Sequence, residues 1–133
     1  MSMRSVSAVL AGFVMIAVLS IGADALMRQM VPTAFGPAGQ MESPPLLVFT
    51  LLYVGIIAVS GCYLTARLAP DRPMLHALVL GGLGLLVNIG GMIALWETAP
   101  AWYHVTAVAL VMPYAWAGGR LREVELTRPH PAV

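Results

Sequence analysis

The sequence predicts an all-α membrane protein, a bundle of four transmembrane helices that run up, down, up and down. Hydrophobic residues make up 59% of the chain and charged residues only 10%, whereas a soluble domain is nearer a quarter charged. The apolar residues form four runs, each about as long as the roughly 20 residues that cross a bilayer core as a helix. Charged residues bracket each run and are absent within it. Residues 1–133 are therefore predicted to form a single transmembrane domain.

The four helices are predicted at about residues 5–25, 45–67, 73–96 and 100–119. Runs this long, without alternating polarity, are typical of helices, because a membrane strand needs only about 10 residues. The connections after the second and third helices are short, so helices two to four should be antiparallel neighbours. The longer connection at residues 26–44 is predicted as an outer loop, and residues 120–133 as a cytoplasmic tail. The first part of this loop could form a short apolar face on the outer surface, or equally extend the first helix by one or two turns.

The first helix has an alternative interpretation. Arg4, the apolar run and the small residues Ser20, Gly22 and Ala23 also resemble a secretory signal peptide. An uncleaved helix is the favoured interpretation, since the uncharged run at residues 5–23 exceeds the usual 7–15-residue apolar region of a signal.

The distribution of arginine predicts the orientation. With four spans both termini lie on one side, and that side holds six of the seven basic residues, all of them arginine: Arg4, Arg67, Arg72, Arg120, Arg122 and Arg128. Only Arg28 lies on the other side. Because basic residues concentrate on the cytoplasmic side, we expect a multi-pass inner-membrane protein with cytoplasmic N- and C-termini.

Small residues recur at helical spacing on the second and third helices. They are Gly55, Ala58, Cys62 and Thr65 on the second helix, and Gly81, Gly84, Asn88 and Gly91 on the third. Each set shares one helix face, and small residues let membrane helices approach closely. We expect these faces to pack helices together, most simply the second against the third, and a ligand cleft there is the less favoured alternative.

Three polar residues are candidates for a site. Asn88 lies well inside a span, where an unsatisfied amide is costly, so we expect it to hydrogen-bond to another helix or to mark a substrate path. Asp24 and Glu97 end the first and third helices on the outer side. They are interpreted as boundary residues, or alternatively as a cation or proton site together with Asn88.

Metal, cofactor and redox sites are not predicted. Cys62 is the only cysteine, which excludes an intramolecular disulfide or a thiol pair. His76 and His104 are predicted near opposite membrane faces, each with its ring partly wet, and one histidine without a nearby second ligand is rarely a metal site. No catalytic cluster is recognisable, so no enzyme activity and no cofactor are expected, and no basic run indicates nucleic acid.

One stretch carries a resemblance. Residues 63–77, Tyr-Leu-Thr-Ala-Arg-Leu-Ala-Pro-Asp-Arg-Pro-Met-Leu-His-Ala, and the Gly81–Gly84 cluster that follows, resemble the middle of small, uncharacterised bacterial inner-membrane proteins with four predicted helices. The resemblance covers roughly the second and third helices. It implies the same topology and a bacterial origin, and it implies no activity.

Two functions follow as hypotheses. The first is a structural or interaction role in the lipid bilayer, in which the glycine faces pack against another copy of the chain or another membrane protein. The second is a small transporter or channel with a polar path near Asn88, Asp24 and Glu97. A cavity that connects these three side chains favours the second hypothesis.

Overall fold

The computed structural model describes residues 2–37, 40–41 and 43–128, and it confirms the all-α bundle. This part of the chain forms four helices: α1 (Met3–Met30), α2 (Pro44–Leu68), α3 (Pro73–Ala94) and α4 (Ala101–Thr127). They run up, down, up and down. Short 3₁₀ turns lie at Pro32–Ala34 and Trp96–Thr98. We call the end of the bundle with the α2–α3 turn the turn end, and the opposite end, with the α1–α2 and α3–α4 connections, the loop end.

Three helices, α1, α2 and α3, are long and apolar enough to cross a membrane, judged by length and composition. Helix α4 has 27 residues but is not among them, because side chains such as Trp102, His104 and Tyr114 make it less hydrophobic than the other three helices. Large apolar side chains on the outside of the bundle, including Ile56 and Leu86, are exposed, as expected of a surface that contacts lipid. The chain is therefore a helical membrane protein.

The central pair of helices is α2 and α3. Helices α1 and α4 each pack against both of them and share no extended contact with each other. The buried core lies toward the turn end and takes side chains from all four helices: Val9, Cys62, Ala66, Ala77, Leu80 and Ala115. Half of these side chains are alanine, so the helices come close together there. A second, smaller cluster of Met27, Met41 and Leu47 lies at the loop end.

Helix α1 is longer than the predicted helix at residues 5–25. It continues to Met30, so the first part of the predicted loop at residues 26–44 is helical. Met27 on this extension is buried against the second cluster, and burial of an apolar side chain stabilises the added turn. Helix α3, by contrast, ends at Ala94, two residues before its predicted end.

Helix α4 also passes its predicted end at residue 119, so the predicted tail is helical as far as Thr127. Two ion pairs between residues three apart stabilise the extension, Arg120–Glu123 at 3.3 Å and Arg122–Glu125 at 3.1 Å. The Tyr63 hydroxyl of α2 donates a hydrogen bond to the Glu125 carboxylate. This bond, together with nearby Arg122, holds the pKa of Glu125 below its usual range. The end of the predicted tail, residues 129–133, lies outside the described residues.

Candidate functional site

Two of the small residues predicted on α2, Gly55 and Cys62, contact α4 rather than α3, whereas Thr65 contacts α1. A Cβ atom added at Gly55 would lie 2.7 Å from the Tyr114 ring, so the glycine makes room for that side chain. Cys62 is buried, and its own Cβ atom lies 2.6 Å from the position of a Cβ atom added at Gly118 of α4. Ala58 between them is half-buried.

The small residues of α3 divide into two groups. A Cβ atom added at Gly81 would lie 2.4 Å from the Cβ atom of Ala115 on α4, whereas one added at Gly84 would make ordinary contact with Val111 at 3.6 Å. At Gly91 an added Cβ atom would have no heavy atom within 4 Å. The packing is therefore tight toward the turn end and opens along α3 toward the loop end.

Glycines outside the predicted set make equally close contacts. A Cβ atom added at Gly12 of α1 would lie 2.7 Å from the Gly61 carbonyl oxygen on α2. One added at Gly118 would lie 2.8 Å from both the Tyr63 amide nitrogen and the Val59 carbonyl oxygen. The Gly118–Gly119 pair is a visible signal in the sequence, whereas Gly12 and Gly61 are recognisable only once α1 is placed on α2.

A polar cluster fastens α1 to α2 and α3 near the turn end. The Nδ1 atom of His76 lies 3.0 Å from the Arg72 carbonyl oxygen, and Nε2 lies 2.9 Å from Ser5 Oγ. Because a carbonyl oxygen only accepts, Nδ1 carries a hydrogen and donates it to the Arg72 carbonyl, while Nε2 and the Ser5 hydroxyl share the second hydrogen bond. The Thr65 hydroxyl donates to the Ala8 carbonyl at 2.9 Å. These bonds satisfy the hydrogen-bonding groups of three buried polar side chains.

The expectation that both histidine rings are partly wet is wrong. His76 is 4% exposed and His104 7% exposed. His104 lies near the loop end, where its ring stacks on Trp96 with centroids 5.4 Å apart and its Nε2 lies 3.2 Å from the Trp96 carbonyl oxygen. The two rings are thus held at opposite ends by close protein partners. Within the described ranges, no group of three His, Cys, Asp or Glu side chains is placed to hold a metal ion.

A cleft of about 780 Å³ lies between all four helices at the loop end. Most of its lining is apolar, and the polar side chains that line it are Asp24, Arg28, Thr50, Tyr53, Asn88, Thr98, Tyr103 and His104. It reaches toward the turn end as far as Val87 and Val108, and beyond them Gly81 packs tightly against Ala115. The cleft is therefore closed on its turn-end side.

Two of the three predicted polar residues line this cleft, and the third does not. Asp24 and Asn88 are among its lining residues, whereas Glu97 is exposed on the turn at Trp96–Thr98 and does not line it. Asn88 is also exposed, and its amide donates to the Gly84 carbonyl of its own helix at 2.7 Å. The prediction that Asn88 hydrogen-bonds to another helix is therefore wrong.

The charged groups of the cleft lie on one face of α1, one turn apart. The Tyr53 hydroxyl donates to a carboxylate oxygen of Asp24 at 2.5 Å. The Arg28 guanidinium carbon lies 4.8 Å from the centroid of the Phe35 ring, a cation–π contact. Within the described part of the chain no ion pair joins Asp24 to Arg28. Tyr53 and Arg28 were not predicted as site residues, although the i, i+4 spacing of Asp24 and Arg28 is visible in the sequence.

The cleft opens on the flank of the bundle. Ile21 on α1 is 70% exposed and Val87 on α3 is 57% exposed, although both line the cleft. Gly91, which also lines it, leaves open space where a side chain would stand. The opening therefore lies beside apolar surface, within the length of the helices that can span a membrane.

Comparisons with known proteins find no counterpart. No protein-family model, curated protein or solved structure matches this chain. The resemblance to small bacterial inner-membrane proteins therefore stays a prediction, and a function for this chain has to be argued from the geometry of the cleft.

Proposed function

We propose that this protein binds a small amphipathic molecule within the membrane, in the cleft at the loop end. The observation that carries the proposal is the cleft itself, about 780 Å³ between all four helices. This volume lies within the roughly 300–1,000 Å³ of small-molecule sites. A mostly apolar lining with a few convergent polar groups is also typical of such sites.

Binding accounts for the geometry better than a channel or a packing role. A channel needs a continuous path, and the cleft is closed where Gly81 meets Ala115. For the packing role, the predicted glycines Gly55 and Gly81 are already in contact with α4 of the same chain, so these two positions are not free to pack against another copy or another protein. A transporter that opens alternately to the two sides of the membrane would use the same cleft as its binding site. The proposal therefore concerns binding of the molecule, a step that transport would also require.

The proposal includes a position in the membrane. In this proposal α4 is the fourth span, the protein lies in a bacterial inner membrane, and the turn end faces the cytoplasm. The support is the arginine bias: six of seven basic residues lie toward the turn end and only Arg28 toward the loop end. The cleft then lies in the outer half of the membrane.

Reporter fusions test this orientation. Alkaline phosphatase fused after the C-terminus should be inactive and a green fluorescent protein should be bright, because the first requires export and the second folds in the cytoplasm. The same reporters fused within the α1–α2 connection after Gln40, with the remainder of the chain removed, should show the opposite pattern. Active phosphatase at the C-terminus would contradict the proposed orientation.

Native mass spectrometry tests the binding function. The protein is extracted from its membrane in a mild detergent and its intact mass is measured. We expect a population heavier than the 14.1 kDa chain by one amphipathic molecule, and a return to the chain mass after denaturation. A spectrum that shows only the bare chain under gentle conditions would count against binding.

A further inference from the structure

We infer that the ligand of the cleft is a zwitterionic phospholipid whose headgroup carries a primary ammonium beside its phosphate, the chemistry of phosphatidylethanolamine. This inference rests on the proposed binding function and names its substrate class. It is carried by two opposite charges, Asp24 and Arg28, that line one cleft and are not paired with each other.

The Asp24 carboxylate supplies the ammonium site. A carboxylate has two oxygens and about four lone-pair positions, and the hydrogen bond from Tyr53 occupies one of these. The rest can accept N–H bonds from a primary ammonium, and bonds between charged partners are about twice as strong as neutral ones. Tyr53 also holds the carboxylate in place, so less of its freedom is lost on binding.

The Arg28 guanidinium supplies the phosphate site. Its carbon lies 4.8 Å from the Phe35 ring centroid, and no ion pair to a carboxylate holds it in the described part of the chain, so its N–H groups can donate to phosphate oxygens. Arg28 follows Asp24 by four residues, so their Cβ atoms are about 5–6 Å apart on one helix face. Both side chains are therefore within reach of one headgroup whose ammonium and phosphate are joined by two carbons.

The rest of the cleft indicates a lipid rather than a water-soluble molecule with the same headgroup. The opening on the flank passes exposed Ile21 and Val87, and the lining beyond the charged pair is mostly apolar. Acyl chains can thus remain in the bilayer or along the apolar lining while the headgroup reaches α1. A soluble phosphoethanolamine would leave this apolar surface uncovered.

The two charges also discriminate among lipids. Phosphatidylglycerol has no ammonium, so it leaves Asp24 without a partner and places its own negative charge nearby. Phosphatidylcholine has an ammonium without N–H groups, so it cannot donate to the carboxylate. Both should bind more weakly than phosphatidylethanolamine, by about tenfold, because one charged hydrogen bond is lost.

The test measures lipid binding to the delipidated full-length protein by native mass spectrometry, with dioleoyl phosphatidylethanolamine, phosphatidylcholine or phosphatidylglycerol added. We expect about tenfold tighter binding of phosphatidylethanolamine, and loss of this preference in Asp24→Asn, which keeps an oxygen for Tyr53. Glu97→Gln, an equal charge change outside the cleft, should keep the preference. Arg28→Gln should weaken the binding of phosphatidylethanolamine by a similar factor.

The outcomes separate the inference from the function on which it rests. If no lipid and no other amphiphile binds, the proposed function fails, and this inference fails with it. If all three lipids bind equally, or Asp24→Asn keeps the preference, binding in the cleft stands and the inference about the headgroup is overturned. Equal competition by soluble phosphoethanolamine would likewise overturn the assignment to a lipid.

Discussion

Gly118→Leu should prevent the bundle from forming or lower its stability by about 3 kcal/mol or more. A single added Cβ atom at this position would lie 2.6 Å from the Cβ atom of Cys62 and 2.8 Å from the Val59 carbonyl oxygen. Backbone atoms of α2 cannot turn aside as a flexible side chain can, so α4 would have to move away. Overpacking of a tight core costs typically 1–3 kcal/mol, occasionally more, and leucine adds four carbons where there is no room for one.

The measurement is thermal denaturation in detergent, followed by size-exclusion chromatography. We expect the midpoint temperature of unfolding of Gly118→Leu to fall by about 10 °C or more below that of the wild type. The midpoint of Gly118→Ala should lie between those two temperatures. The matched control is Gly82→Leu, where an added Cβ atom has no heavy atom within 4 Å, and its midpoint should stay close to that of the wild type. If Gly118→Leu were as stable as Gly82→Leu, the close approach of α2 and α4 would be wrong.

The fold class was predictable because its determinants are local in sequence. Apolar runs such as the one between Arg4 and Asp24 show how much of the chain avoids water, and their length selects helices. The helix ends were less predictable. Hydropathy marks the boundary of the membrane, whereas the end of a helix is set by its backbone hydrogen bonds and by the side-chain contacts of its last turns. Buried Met27 extends α1, and the ion pair between Arg122 and Glu125 helps to extend α4.

The glycine contacts show what spacing does not determine. The positions of Gly55 and Gly81 identify a shared face on each helix, but the helix that occupies the face depends on the arrangement of all four. That helix is α4 for both, where Tyr114 and Ala115 fill the space beside them. The prediction that the small-residue faces of α2 and α3 pack against each other assumed that helices adjacent in sequence make the closest contact.

The cleft was predictable only in part. Asn88 stood out because strongly polar residues within apolar runs are rare, and Asp24 because it is a charge at the end of the first run; both line the cleft. Tyr53 and Arg28 did not stand out, since a tyrosine in a span and an arginine in a loop are common. Their role depends on the packing of α1 against α2, which brings the Tyr53 hydroxyl to Asp24.

Gly91→Phe should fill the cleft and remove ligand binding while the bundle stays intact. Gly91 lines the cleft, and an added Cβ atom there has no heavy atom within 4 Å, so a phenyl ring can enter the cavity without a clash at its base. Gly90 has the same open space but does not line the cleft. Both substitutions replace a glycine in the interior of α3, and each should change helix stability by less than about 1 kcal/mol.

Native mass spectra of these two variants beside the wild type give the most direct test that the cleft is a binding site. We predict that Gly91→Phe loses the bound amphiphile, with occupancy reduced at least about tenfold, a change of about 1.4 kcal/mol in binding free energy. Gly90→Phe should keep the occupancy of the wild type, and both variants should elute and denature as the wild type does. Equal occupancy in Gly91→Phe and Gly90→Phe would contradict the assignment of binding to this cleft.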